Sequence, residues 1–347
     1  MKVGIMGAGA VGCYVGGHLA RGVPDFDVTL VGRRALGDAI AGAGGITLCE
    51  ADTSASHRVE AERLRFATDV DALAACDVLL VCVKSGQSAE VGQALAGVAR
   101  ADALVLSLQN GVSNPPLLRR ELGAGRSVLA AIVGFNVVWS EDAGGGPLFT
   151  RATSGPLAAQ QSDDPRWIAL RDALRGAGLD VVERADIEPH QWTKLLVNLN
   201  NAIGALSGAP SQQLVLDAGY RHIVADVVGE GVRVLRAAGI APAAMRGVPV
   251  SWMARLLRLP TWLVRPIMRA QMRIDPEARS SMWQDLARGR STEVDYLNGE
   301  IVNAAVRAGV EAPLNARIVE LVKAAERDGR GSPDLSPDAL RAALTAP

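Results

Sequence analysis

The sequence predicts two domains of different class: an α/β N-terminal half built as a doubly wound parallel sheet, and an all-α C-terminal half. Three observations carry this. Continuous β-rich apolar runs alternate with helical stretches through the first half, as in a parallel sheet covered on both faces. The first run leads into Gly7-Ala8-Gly9-Ala10-Val11-Gly12, with a helical stretch directly after it. From about Pro189 onward, strand signals give way to helical periodicity. The division is placed at 1–186 and 187–347, and a chain of 347 residues is long enough for two domains, each with its own core.

Lys2–Met6 reads as a short buried strand, and the glycine motif after it is G-x-G-x-x-G in strand–turn–helix context. In a Rossmann domain the first glycine permits the tight turn and the second lets backbone approach a pyrophosphate. The third lets the helix pack on the strand, and the free N–H groups of the helix start hold the anion. All six residues, Gly7, Ala8, Gly9, Ala10, Val11 and Gly12, are therefore candidate cofactor contacts. Further strands are expected at 28–31, 78–83, 103–108 and 128–133. Between Val137 and Gln161 the pattern is short and Gly-rich, and extra antiparallel strands are expected to close the domain, which Val181-Val182 ends. Helices are expected over Trp192–Leu206, Tyr220–Ala238, Ser281–Arg307 and Ala316–Arg327. Residues 239–280 lack clean periodicity and read either as a packed helical insertion or as a mobile cap. The tail after Asp328 is Gly/Ser/Pro-rich and then weakly helical.

Composition narrows the function. Hydrophobic residues make up 49% and formal charge is −1, an ordinary soluble balance without the basic excess of a nucleic-acid binder. Aromatics at 4% argue against base-stacking surfaces. No run reaches the roughly 18–20 apolar residues of a membrane span, so no membrane partner is expected. The chain opens on a strand, so a signal peptide is not expected either. Cys13, Cys49, Cys76 and Cys82 form no CxxC pair and read as reduced thiols of a cytoplasmic protein. The four histidines are scattered without ligand spacing, and no metal is expected.

The end of the second strand discriminates between nicotinamide cofactors. An acid there binds a ribose 2′-OH, and a basic residue accommodates a 2′-phosphate. Here Gly32-Arg33-Arg34 follow the strand with no acid in reach. Guanidinium groups suit a phosphate dianion. A solvated pair at a strand end is the alternative; the position favours NADP(H), with Arg33 as the contact. Lys84, directly after the run at 78–83, can reach cofactor ribose or phosphate, or be a surface lysine. Asn110 in Gln109-Asn110-Gly111 can hydrogen-bond the nicotinamide carboxamide or the substrate, or mark a simple turn.

These pieces together resemble the ketopantoate reductase (2-dehydropantoate 2-reductase) family. The resemblance rests on GAGAVG, VCVKSGQ, LQNGV, TKLLVN and SMWQDLARGRSTEVDYLNGEIV, with Pro313-Leu314-Asn315 fitting as well. It spans nearly the whole chain apart from 239–280. It implies a Rossmann domain joined to a helical domain, with the site in the cleft between them. It further implies NADPH-dependent reduction of the 2-keto group of ketopantoate to give pantoate, a precursor of pantothenate and coenzyme A. By resemblance, Lys194 is the general acid, and Asn198 and Ser281 contact the substrate. Glu293 completes the polar site and counts, with Asn110, among the cofactor contacts. Lys84 and Gln87 lie along the cofactor. A small 2-keto acid is the partner expected, and a homodimer is an admitted assembly.

The chemistry can be argued without the resemblance. Hydride delivered to a ketone leaves charge on oxygen, which needs a positioned proton donor or cation. Lys194 follows the domain junction and is read as opening a helix with an apolar flank; desolvation would lower its pKa. Asn198, four residues on, shares its helical face. Glu293 would balance the lysine. One position departs from the family pattern: the second asparagine, eight residues after the lysine, is replaced by Ala202. At about 100° per residue, seven residues return to within roughly 20° of the lysine's direction, so Asn201 could replace the missing amide. That departure leaves open an NADP-dependent dehydrogenase of another small keto or hydroxy acid. An NADP-binding protein without turnover is a further reading, against which Lys194 and Glu293 argue.

Overall fold

In a computed structural model of the chain, residues 1–50, 55–245, 247–265 and 278–346 are described. They form two compact units, Met1–Ile187 and Glu188–Pro347.

The first unit opens β1 (Lys2–Met6), α1 (Ala10–Gly22), β2 (Asp27–Val31), α2 (Arg34–Ala43), β3 (Gly45–Glu50), β4 (Ala55–Glu60) and β5 (Leu64–Ala67). It continues through β6 (Val78–Val81), α3 (Ser88–Val98), β7 (Leu104–Ser107), α4 (Asn114–Leu122) and β8 (Val128–Val133). It closes with β9 (Val137–Glu141), β10 (Pro147–Arg151), β11 (Leu157–Gln160), α5 (Pro165–Gly176) and β12 (Val181–Arg184). The main sheet runs β12-β11-β8-β7-β6-β1-β2-β5. All its pairings are parallel except β11 with β8. Strand order reverses between β1 and β6, and ligands bind outside the carboxyl ends of strands at such a switch point.

The strands are apolar throughout because both faces are covered. Val78, Leu80, Leu104 and Leu106 pack to one side with Tyr14 and Leu19 of α1 and Trp167 and Leu170 of α5. Leu79, Val81 and Val105 alternate to the other side, against Val91 and Leu95 of α3 and Leu118 and Leu122 of α4.

The sequence expectation omitted β3, β4 and β5. β4 (ASHRVE) buries only Val59 and so lacks an apolar signal. With β3, β10 and β9 it builds a second sheet, ordered β4-β3-β10-β9. The extra strands expected after Val137 therefore divide: β9 and β10 pair antiparallel in the second sheet, and β11 joins the main one.

In this unit Tyr14 donates its hydroxyl hydrogen to Glu50, and Arg151 reaches the same carboxylate at 3.7 Å. His18 is buried with Nδ1 3.0 Å from the Ala177 carbonyl oxygen. Burial lowers its pKa; the Ala177 bond opposes this, and His57, Arg21 and Arg151 add to it. Its Nε2 lies 3.8 Å from Glu50, a contact that becomes an ion pair only on protonation. Cys13 and Cys76 are buried, and all four cysteines are free thiols.

The second unit comprises α6 (Glu188–Asn198), α7 (Asn200–Ser207), α8 (Ser211–Leu216), α9 (Ala218–Ala237) and α10 (Met253–Leu256). It ends with α11 (Ser281–Ala287), α12 (Asn298–Ala308), α13 (Pro313–Asp328) and α14 (Pro337–Thr345). Two expected helices are broken. The stretch 192–206 is α6 and α7, interrupted at Leu199. The stretch 281–307 is α11 and α12, separated by a turn at Gly289 and a 3-10 turn over Val294–Tyr296. Within 239–280, the described residues hold an isolated bridge between Met245 and Val248, a 3-10 turn at Val250–Trp252, α10, and a helical stretch over 261–265. The part of that insertion at 266–277 lies outside the described residues. Among the described residues, no helix is long and apolar enough to cross a membrane.

Candidate active site

In the first unit the candidate site is built largely of backbone. Gly7 has φ +104°, and a Cβ there would fall 2.6 Å from the Val83 nitrogen, so the turn after β1 tolerates only glycine. Gly7 and Ala8 donate their N–H groups to the Val31 carbonyl at 3.1 and 2.8 Å, which ties the turn to the end of β2. A Cβ on Gly12 would lie 2.3 Å from the Gly7 carbonyl oxygen, whereas one on Gly9 would meet nothing within 4 Å. The first glycine turns the chain, the third permits close packing, and the second faces open space. The N–H groups of Ala10, Val11 and Gly12 begin α1, where helix geometry supplies no acceptor. No acid stands in that first turn to compete for them. This cradle fits a pyrophosphate.

Arg33 and Arg34 follow β2 and are both exposed, Arg33 as the extended capping residue just before α2. Lys84 precedes and Gln87 ends the 3-10 turn Ser85–Gln87 after β6, Lys84 half-buried and Gln87 exposed. Asn110 follows β7. A buried polar network, absent from the sequence reading, fastens these two loops together. Asn114 donates to Ser85 Oγ at 2.9 Å and to the Asn110 carbonyl at 2.6 Å. Ser88 donates to Asn114 Oδ1 at 2.7 Å. Gln109 donates to Ser88 Oγ at 2.7 Å and to the Val83 carbonyl at 3.0 Å. Ser85, Ser88, Gln109 and Asn114 are all buried. Their residue types gave no signal, because serines and amides at strand ends look like ordinary turn residues.

In the second unit the candidate groups are side chains. Lys194 does not open its helix: α6 starts at Glu188 and places Lys194 in its second turn. Its neighbours are locked. Thr193 donates to the Ala243 carbonyl at 2.7 Å, and Trp192 Nε1 donates to Glu188 at 3.2 Å. Burial pushes the Lys194 ammonium down to about 8, and the negative charge of Glu293 opposes the shift. Glu293 stands immediately before the 3-10 turn Val294–Tyr296. Its position is set by Thr292, whose N–H and hydroxyl both donate to Glu326 on α13, at 2.8 and 2.7 Å.

Asn198 ends α6 and Asn201 stands in the first turn of α7, both half-buried. Because the helix is interrupted between them, the angular relation of Lys194 to Asn201 is not that of one continuous helix. Ala202 is fully buried. Ser281 is exposed at the first position of α11, while Ser280 is the buried cap. Ser280 Oγ accepts from the Trp283 N–H at 3.2 Å and donates to the Asn201 carbonyl at 2.9 Å. Glu230 of α9 is another buried group the sequence did not announce. Its carboxylate accepts from the N–H groups of Leu314 and Asn315 and from the Asn315 amide, at 3.0, 2.8 and 2.9 Å. It thereby caps α13. Among the described residues, no group of three or more His, Cys, Asp or Glu could hold a metal ion.

A switch-point glycine cradle followed by an all-helical unit defines a two-domain dinucleotide-binding protein. Known proteins make the class more specific. Residues 3–144 match the family described as ketopantoate reductase PanE/ApbA, and residues 186–326 match its C-terminal counterpart. The 2-dehydropantoate 2-reductase of Halobacterium salinarum is 30% identical over 335 residues, covering 95% of this chain and 100% of the relative. That of Pyrococcus horikoshii is 29% identical, covering 96% and 100%. The crystal structure of a PanE/ApbA family ketopantoate reductase from Ralstonia eutropha superposes with TM-score 0.77 at 31% identity, covering 95% and 100%. The chain belongs to the ketopantoate reductase family.

Proposed function

We propose that the protein reduces 2-dehydropantoate to pantoate with NADPH, a step toward pantothenate and coenzyme A, and that Lys194 is the proton donor. The observation that carries this reading is a lysine brought to about 8 by burial and faced by the carboxylate of Glu293. NADPH would be held by the N–H groups of Ala10, Val11 and Gly12, with Gly7, Ala8 and Gly9 shaping the cradle. Arg33 would take the 2′-phosphate, and Lys84, Gln87 and Asn110 the rest of the cofactor. When bound, NADPH supplies the hydride.

The chain's own residues do the remainder. As the ketone carbon is reduced, charge grows on its oxygen, and the Lys194 ammonium stabilises that charge and donates the proton. Glu293 keeps the lysine oriented and supports its charged form. The amides of Asn198 and Asn201, with Ser281, would bind carboxylate and hydroxyl oxygens without adding net charge. A homodimer is the assembly this reading admits.

Because the acid must be protonated, turnover in the reductive direction falls as pH rises through about 8. The test is a panel of 2-keto acids with NADPH and NADH, followed by nicotinamide absorbance. NADPH with 2-dehydropantoate should give the highest kcat/KM. Lys194→Ala should lose turnover by about 10²–10⁴-fold while binding NADPH normally. Unchanged turnover in Lys194→Ala would remove the proposed donor. A second reading, reduction of a different small 2-keto acid by the same machinery, is favoured by one observation: the family's second amide position is the fully buried Ala202. Preference for another acid in the panel would select it.

A further inference from the structure

Whole-chain charge is −1, yet residues 231–274 contain eight arginines and no Asp, Glu or Lys. The described part of this run also concentrates exposed apolar surface. Of eight exposed large hydrophobic residues among the described residues, Met245, Val248, Trp252, Leu256 and Trp262 fall within 245–262. Trp252 is 53% and Trp262 73% exposed, and it is exposed apolar surface gathered together, rather than single residues, that marks an interaction site.

The segment is not waiting to fold inward, because its inner side is already fastened. Arg221 on α9 is 1% exposed and donates to the carbonyls of Leu257 at 2.8 Å and Leu259 at 3.1 Å, and to the Thr261 hydroxyl at 3.1 Å. Val250 and Val264 are the buried anchors, and Arg258 pairs with Asp226. What remains outward is Trp252, Arg255, Leu256, Trp262 and Arg265. Arginine therefore alternates with tryptophan and leucine along this exposed, inwardly fastened segment.

We propose that this face docks the protein peripherally on an anionic lipid bilayer. Trp252, Leu256 and Trp262 enter the headgroup region, and Arg255 and Arg265 meet lipid phosphates. Tryptophan rings favour the membrane–water boundary, and basic residues beside apolar ones are drawn to anionic lipid. The arginines interrupt every apolar stretch of the described segment, so it lies on the surface and does not span. A polyanionic nucleic acid would satisfy the arginines but leave Met245, Val248 and Leu256 wet. A second copy of the same face would oppose arginine to arginine.

The test is co-sedimentation of the full chain with vesicles of equal phosphatidylglycerol and phosphatidylcholine, against phosphatidylcholine alone, in about 0.1 M salt. Binding to the anionic vesicles should be at least about tenfold tighter, weaken as salt rises, and shift tryptophan emission to the blue. Trp252→Ser/Trp262→Ser and, separately, Arg255→Glu/Arg265→Glu should each lose about tenfold or more in vesicle binding, with reductase turnover in solution unchanged. Absence of binding to either vesicle overturns the proposal. So does undiminished binding by both variants, or competition by an oligonucleotide that leaves no lipid dependence. A wild-type dimer that the tryptophan variant turns into monomer overturns it in favour of self-association.

Discussion

The two units offer ligands different kinds of surface. In Met1–Ile187 the candidate pyrophosphate cradle is backbone: a turn at Gly7, open space over Gly9, and the N–H groups that begin α1. In Glu188–Pro347 the proposed groups are side chains, Lys194 and Glu293, held on α6 and on a turn whose positions depend on partners far away in sequence. A backbone site is sensitive to any added atom and indifferent to most side-chain chemistry. A side-chain site has the opposite sensitivity.

The strongest way to test this contrast is within the glycine motif itself. Gly12→Val places a Cβ 2.3 Å from the Gly7 carbonyl oxygen and should destabilise the first unit by about 3 kcal/mol or more, read as a lower urea midpoint. Gly9→Val adds a side chain to open space. It should leave that midpoint nearly unchanged while weakening NADPH binding at least about tenfold, an affinity change of about 1.4 kcal/mol, measured by calorimetry. Equal stability loss in both variants would break the distinction.

In the second unit the matching test is Glu230→Ala, which strands the donors of Leu314 and Asn315. A loss of about 2–3 kcal/mol is expected, with thermal unfolding as the readout. Next in size is Arg33→Asp. It should reverse the NADPH over NADH preference by about tenfold or more in Kd, through repulsion of the 2′-phosphate, without altering unfolding. An unchanged preference would place the phosphate contact elsewhere.

The smallest effect belongs to His18. Its folded pKa lies below the unfolded value near 6.5 because it is buried, so the unfolded chain binds the proton more readily. Stability is therefore complete above about pH 6.5 and declines as pH falls from there toward the folded value. Urea midpoints at pH 7.5 and 5.5 should differ by up to about 1 kcal/mol, and His18→Gln should flatten the difference.

Legibility in the sequence follows the same division. The apolar runs at β1, β2, β6, β7 and β8 were readable because strands covered on both faces must be apolar throughout. β4 was not, because it turns only Val59 inward. Helical periodicity marked 192–206 and 281–307 but not the breaks at Leu199 and Gly289, which a repeat of about 3.6 residues cannot resolve. Family motifs pointed to Lys194 and Glu293. No spacing pointed to the Ser85–Ser88–Gln109–Asn114 network or to the Glu230 cap, since each joins elements remote in sequence.

By itself the sequence determined the class of each half and the shape of the glycine cradle. Both are local consequences of side-chain size, backbone freedom and hydrophobic period. Only tertiary structure decided that Lys194 would be desolvated, which lowers its pKa to about 8 against the opposing charge of Glu293. It alone decided, too, that Arg221 would pin 257–261 and leave two tryptophans exposed. A pKa and an exposed face are properties of what surrounds a residue, and burial is set by packing between segments that the linear order keeps apart.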